Sequence, residues 1–229
     1  MHTGRYGEDH LGAAKAKMMA TQRNPDRTRK SLLQAAFQEI YESGFQAASL
    51  DKILSKAGVT KGALYHHFGS KQELGYAVVD ELIRERILER WVRPLEKSPN
   101  AIDDLLAGLP VACLPDKGPF PSFTRRLGCP LNNLAQEMSP LDEGFRKRVE
   151  GVFNAWREGI AAALRRGQQS GQVRSDVDPF ESADFILAAL EGSVSLAKNA
   201  GDGKLFLSCK AGLSRYLESL RAQESHSRS

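Results

Sequence analysis

The 229-residue chain is 41% hydrophobic and 26% charged, the balance of a globular protein long enough to bury a sizeable core. Its longest apolar stretches, such as Ile186 to Leu190, are far too short to span a bilayer; no apolar stretch follows the basic N-terminus as in a secretory signal, and three cysteines make no disulfide framework. Membrane and secreted classes are argued against, and a reducing cytoplasm is expected. The net charge of +4 lies wholly in the first third, where residues up to Gly75 carry 11 Lys and Arg against 7 Asp and Glu while the remainder balances at 21 each, so a polyanionic partner is to be sought at that end.

In chain order, residues 1–24 lack a sustained apolar period and read as a tail; Met18 and Met19 leave the true start open. Pro25-Asp26 opens a first helix whose Leu32, Leu33, Ala36, Phe37, Ile40 and Tyr41 recur at helical spacing, with Gly44 as its stop. Ser49 is the expected N-cap of a second helix through Ala57, ended by Gly58. Thr60 caps a third, carrying Ala63, Leu64 and Tyr65, and Ser70 caps a long fourth that is expected to stop near Arg93, before Pro94. Helices two and three, separated by Gly58-Val59-Thr60, make a helix-turn-helix.

Beyond it, helices are expected from Ala101 to about Cys113, Pro130 to Met138, Leu141 to Gln169, Pro179 to Asn199 and Lys204 to Leu220, with a Pro- and Gly-rich loop from Pro115 to Pro121. No stretch alternates with period two between hairpin signals, so the fold is expected to be all-α. Four regions follow: a tail (1–24), a helix-turn-helix DNA-binding domain (25–75), a larger helical ligand-binding and dimerisation domain (76–221) and a C-terminal tail (222–229).

A recognition helix must present small and polar side chains, because its backbone has to enter a major groove roughly 12 Å wide. The third helix begins Thr60-Lys61-Gly62-Ala63. Gly62 inside it costs about 0.5–1 kcal/mol relative to alanine, a cost that close backbone approach would explain. Lys61 suits guanine O6 and N7, Ala63 a thymine methyl, and Thr60 a base or a phosphate. His66 and His67 point about 100° apart on a helix, so a shared metal is not expected, and no cofactor is implied.

The stretch SLDKILSKAGVTKGALYHHFGSK, residues 49–71, closely resembles the DNA-binding core of the TetR family of repressors. The resemblance rests on the joint spacing of Ser49, Ile53, Ala57, Gly58, Val59, Gly62, Leu64, Tyr65, Phe68 and Lys71, and runs from about residue 27 to 93. It implies phosphate contacts from Ser49, Tyr65, His67 and Lys71, with His66 completing the DNA-facing set; Tyr65 also fits a structural role, as Phe68 does. It further implies a homodimer built on the last two long helices, for which Phe185, Ile186, Ala189, Leu190, Ser193, Val194 and Ala197 offer apolar and small residues at helical spacing, a face that also fits intramolecular core. Finally it implies a pocket for a small-molecule inducer whose binding moves the fourth helix and releases a palindromic operator. Pocket candidates are Trp91, Phe120, Phe123, Cys129, Asn132, Asn133, Gln136, Phe153 and Trp156, each equally compatible with packing.

Cys129 carries a second expectation. At an N-cap before Pro130 and near Arg125 and Arg126, its thiol would be acidified and open to redox or electrophile sensing, with Cys113 as a partner; the alternative is a buried, inert cysteine. An enzyme is not expected: there is no Ser/His/acid set, no HExxH and no phosphate-cradling glycine loop, and His2, His10 and His226 fall in the tails. A helical adaptor that has lost DNA binding is the third reading.

Overall fold

The computed structural model describes residues 25–97, 99–109, 126–201 and 203–222. Among these residues it is all-α, and the only extended pairing is an isolated bridge between Val173 and Arg221.

A head is built from three helices and the start of a fourth. Helix α1 (Pro25–Ser43) starts on proline, whose missing N–H is no loss in a first turn, and buries Leu32, Ala36, Phe37 and Ile40. It stops at Gly44, whose φ of 81° an L side chain rarely adopts. Helix α2 (Leu50–Ala57) is capped by the Ser49 hydroxyl, which accepts from Lys52 N–H, and closed by left-handed Gly58. Helix α3 (Lys61–His67) is capped by Thr60, which accepts from Ala63 N–H. Ser70 then accepts from Glu73 N–H at 3.0 Å while Glu73 accepts from Gly69 N–H at 2.9 Å, a reciprocal cap of the capping-box kind.

That cap starts α4, a rod through residues 71–96 whose α-helical turns are interrupted by two π-helical stretches, Val78–Ile83 and Leu88–Val92. Contrary to expectation, Pro94 does not end the rod. It sits in the first turn of the last segment, Arg93–Glu96, where a proline needs no N–H donor, and the helix runs one turn further.

The body comprises α5 (Ala101–Gly108), α6 (Pro130–Met138), α7 (Glu143–Gln169), α8 (Pro179–Ala200) and α9 (Lys204–Ser219). Asp142, rather than Leu141, caps α7 by accepting from Phe145 N–H at 2.9 Å, and Leu141 lies exposed before it. The 27-residue α7 runs through the middle and buries Phe145, Val149, Val152, Trp156, Ile160 and Leu164. The connector after it is tied to the residues that follow α9 by Arg174 N–H to Leu220 O at 3.0 Å and Ala222 N–H to Gln172 O at 2.9 Å.

Head and body share α4 and meet at its start. Phe145 packs edge-on to Phe45 at 4.5 Å and to Tyr76 at 4.9 Å. Gly75 makes this possible, since a Cβ there would lie 2.6 Å from the Phe45 ring and 2.7 Å from Phe145. Tyr76 donates its hydroxyl to Asp142 at 2.7 Å, and Arg148, stacked 4.1 Å over the Tyr76 ring, donates to Asp80 at 2.9 Å.

Candidate nucleic-acid interface and ligand cavity

Helix α3 divides cleanly into two faces. Leu64 and, just past the helix, Phe68 are buried in the head, so Phe68 is core. Lys61, Gly62, Tyr65 and His66 are exposed, with Thr60 beside them, and Ala63 and His67 are half-buried at the edge. Tyr65 is 46% exposed, more than packing asks of an aromatic ring. No side chain lies closer to Gly62 than the Thr60 hydroxyl, 3.9 Å from where a Cβ would stand. The surface is made mostly of small side chains beside Tyr65 and carries one lysine at its leading end.

Two of the other DNA candidates, Ser49 and Lys71, already have partners within the head. Ser49 spends its hydroxyl on the α2 cap. Lys71 is turned toward the α1–α2 turn: its Nζ donates to Gln46 O at 3.1 Å and lies 5.0 Å over the Phe45 ring. Burial holds its pKa below the usual lysine value, against the pull of nearby Glu137. The imidazoles of His66 and His67 stand at 69° to one another, and the described residues hold no cluster of three metal-ligating side chains.

The helix-turn-helix is pinned from beneath by a residue that periodicity does not single out. Glu39, buried on α1, accepts from Ser49 N–H at 3.4 Å and from Lys56 at 3.3 Å, with Lys52 at 3.6 Å. Burial pushes this carboxyl up, but Lys56, the Ser49 amide and Lys52 outweigh it and leave its pKa below the usual value.

The pocket candidates do not share one cavity. Trp91 and Trp156, the only tryptophans of the chain, stack at 5.2 Å and 30° and line a cavity of about 200 Å³ walled by Leu105, Ile160, Ile186 and Leu217. Arg90 lies at its mouth, 5.1 Å over the Trp91 ring, and donates to Gly108 O at 3.2 Å. Asn132, Asn133 and Gln136 line instead a cleft of about 690 Å³ between head and body, floored by Phe37, Ile40, Val78 and Ile83. There Asn132 donates to Ser195 and Lys198 donates to Asn133, both at 3.1 Å. Phe153 packs half-buried on the core and lines neither space. Phe120 and Phe123 lie outside the described residues, as does Cys113.

Of the two readings of Cys129, its surroundings favour the buried, inert cysteine over the acidified thiol. It does stand at the N-cap of α6, yet its side chain makes no capping bond. It is buried, and burial first, then the adjacent Glu191 carboxyl, push its pKa well above the ordinary thiol value, outweighing the α6 amides. Arg126, the described one of the two nearby arginines, is exposed. Glu191 is itself buried, and burial lifts its carboxyl to about 7, with the Cys129 thiol alongside.

The expected dimer stripe on α8 mixes two faces. Ile186, Leu190, Ser193, Val194 and Ala197 are buried within their own chain, because α8 packs inward on α7 and α9. Phe185, 51% exposed, points outward and meets Tyr216 edge-on at 4.5 Å, and Ala189 is half-buried. Leu196 (51%), eleven residues on, lies on the same side of α8 as Phe185, and on α9 Leu205 (39%) and Leu207 (59%) are also exposed.

Two family descriptions match the chain: "Bacterial regulatory proteins, tetR family" over residues 32–78 and "Tetracyclin repressor-like, C-terminal domain" over residues 121–208. The transcriptional regulator AcuR of Cereibacter sphaeroides is 31% identical over 74% of this chain and 75% of its own. The chain belongs to the TetR family of transcriptional regulators. The HTH-type transcriptional repressor DhaR of a Mycobacterium species is 28% identical over 72% of this TetR-family chain and 80% of its own. A TetR regulator from Chloroflexus aurantiacus has a similar structure, with a TM-score of 0.77 at 28% identity, covering 88% of this chain and all of that one. The family is one of DNA-binding regulators and not of enzymes, and among the described residues no helix is long and apolar enough to cross a membrane.

Proposed function

We propose that this TetR-family protein is a repressor that binds a palindromic operator as a homodimer in the cytoplasm and is released by a small apolar inducer. The observation that carries the DNA-binding half is the outward face of α3. Lys61, Gly62, Ala63 and Tyr65 form a small, cation-led surface on a helix anchored by Leu64, the shape that admits a helix backbone to a major groove. Ser49, Thr60, His66, His67 and Lys71 flank it as phosphate contacts. A two-fold dimer on Phe185 and Leu196 of α8 would set two such helices on half-sites roughly 34 Å, or a multiple, apart.

The inducer half is supported by the tryptophan cavity. It touches the far end of α4 through Trp91 and Leu95, and the near end of α4 packs in the head. A ligand that binds better when that end is displaced shifts the head away from its DNA-competent position; one that binds both states equally shifts nothing. The cavity lies below the range usual for drug-sized ligands, so a molecule the size of a single aromatic ring system is favoured.

Two measurements test the reading. Selection of genomic fragments by the purified protein is expected to return an inverted repeat; recovery of no sequence preference would favour the helical adaptor. Titration with indole-sized aromatic compounds is expected to quench tryptophan emission and weaken DNA binding together. Compounds that release DNA while leaving emission unchanged would place the inducer elsewhere.

A further inference from the structure

We propose that Glu137, at the end of α6, is the positioning residue that fixes the DNA-reading head on the body and thereby sets the half-site spacing the dimer accepts. The inference rests on the DNA-binding reading of α3.

The Glu137 carboxylate reaches across to the turn between α1 and α2 and accepts two backbone N–H groups at once, Phe45 N–H at Oε2 and Gln46 N–H at Oε1, both at 2.8 Å. These are charge-assisted bonds, stronger than neutral ones, and together they hold the turn in one orientation. The approach depends on Gly44, for a Cβ there would stand 3.0 Å from both carboxylate oxygens. One turn back on α1, the Tyr41 hydroxyl donates to Gly128 O at 2.5 Å, just ahead of α6. The end of α1 is thus fastened to both ends of α6.

The consequence follows from connectivity. The turn that Glu137 grips leads directly into α2 and α3. Of the other contacts between head and body, Tyr76 with Asp142 and Arg148 with Asp80 run through α4, while on the α1 side the Glu137 pair is joined by the Tyr41 bond and by the apolar packing of Phe45 on Phe145; the Glu137 pair is the charge-assisted, directional member of that side. Lys71 holds the same turn from α4 through Gln46 O, so the turn is gripped from both sides. With Glu137 removed, the turn keeps its apolar contact with Phe145 and the Tyr41 bond but loses its two charge-assisted bonds, so each head swings more widely about α4 and the separation of the two α3 helices is less sharply set.

The test uses the full chain, the inverted repeat recovered by selection, and the same repeat with one base pair inserted or deleted at its centre. The wild type is expected to prefer the selected spacing by about tenfold or more, since recognition helices must match the groove period. Glu137→Ala is expected to cut that preference to within about threefold, because a swinging head accommodates either spacing. Glu137→Gln, which keeps one acceptor, should fall between them. Amide exchange of Phe45 and Gln46 supplies a readout that needs no DNA. Glu137→Ala should speed it about ten- to hundredfold, the equivalent of a hydrogen bond to a charged group, with exchange in α7 unchanged. Unaltered spacing preference in Glu137→Ala, or unaltered exchange at Phe45 and Gln46, would overturn the proposal. Wild-type protein that binds no DNA would instead overturn the DNA reading, and the exchange result would still decide whether Glu137 holds the turn.

Discussion

At the scale of single residues, the buried carboxyls act in opposite senses. Glu39 is surrounded by donors and keeps its charge; Glu191 is lifted to about 7 by burial, against the opposing pull of the Cys129 thiol. A carboxyl whose folded pKa exceeds its unfolded one favours the folded state below the unfolded pKa and loses that advantage as pH rises through the folded one. The stability tied to Glu191 therefore falls between the ordinary carboxyl value of 4.5 and about 7. The full difference corresponds to roughly 3 kcal/mol. Glu191→Gln is expected to be more stable than the wild type at pH 8 by up to about that amount and equal to it near pH 4, as read from urea unfolding at the two pH values; an unchanged difference between them would contradict the assignment. For Glu39 the sign reverses: its contribution is present above the usual carboxyl range and is lost as pH falls through its lowered pKa. Neither residue was legible in advance, because a lone Glu on an apolar helix face looks like an interruption until its partners, Lys56 and Cys129, are brought to it by tertiary packing.

At the scale of helices, the head was readable and the body only partly so. Ser49, Gly58, Thr60 and Ser70 are local signals, and each cap or stop forms as local chemistry requires. Pro94 misleads because a proline that ends one helical segment is equally at home in the first turn of the next. The pocket candidates misled differently: aromatic and amide side chains were grouped by type, but their helices send Trp91 and Trp156 to one cavity and Asn132, Asn133 and Gln136 to another. On α8, the residues at helical spacing cover both an inward and an outward face, and which of them faces α7 is set by packing. The junction of α7 with the head makes the element-scale prediction. Phe145 is fully buried between Phe45 and Tyr76, so Phe145→Ala should cost about 3–5 kcal/mol and separate unfolding of the head from that of the body. A calorimetric trace that stays a single transition at the wild-type temperature would refute it.

At the scale of the whole molecule, the proposed release of DNA by a ligand requires two copies and one moving rod, α4. Phe185 and Leu196, three turns apart on one side of α8, present an exposed apolar strip that a lone chain leaves in water, and joining two such strips across a two-fold axis would cover it. Phe185→Glu with Leu196→Glu should convert a dimer to a monomer in size-exclusion chromatography with helical content intact; a pair of substitutions that leaves the dimer whole would move the interface elsewhere. The central claim, that the exposed face of α3 reads DNA, is tested most directly by fluorescence anisotropy on the DNA upstream of the protein's own gene at two salt concentrations. A Lys61→Ala/Tyr65→Ala variant is measured beside the wild type. Tight wild-type binding that weakens steeply with salt and is lost in the variant is the result this account predicts. Binding by the variant equal to that of the wild type would contradict it.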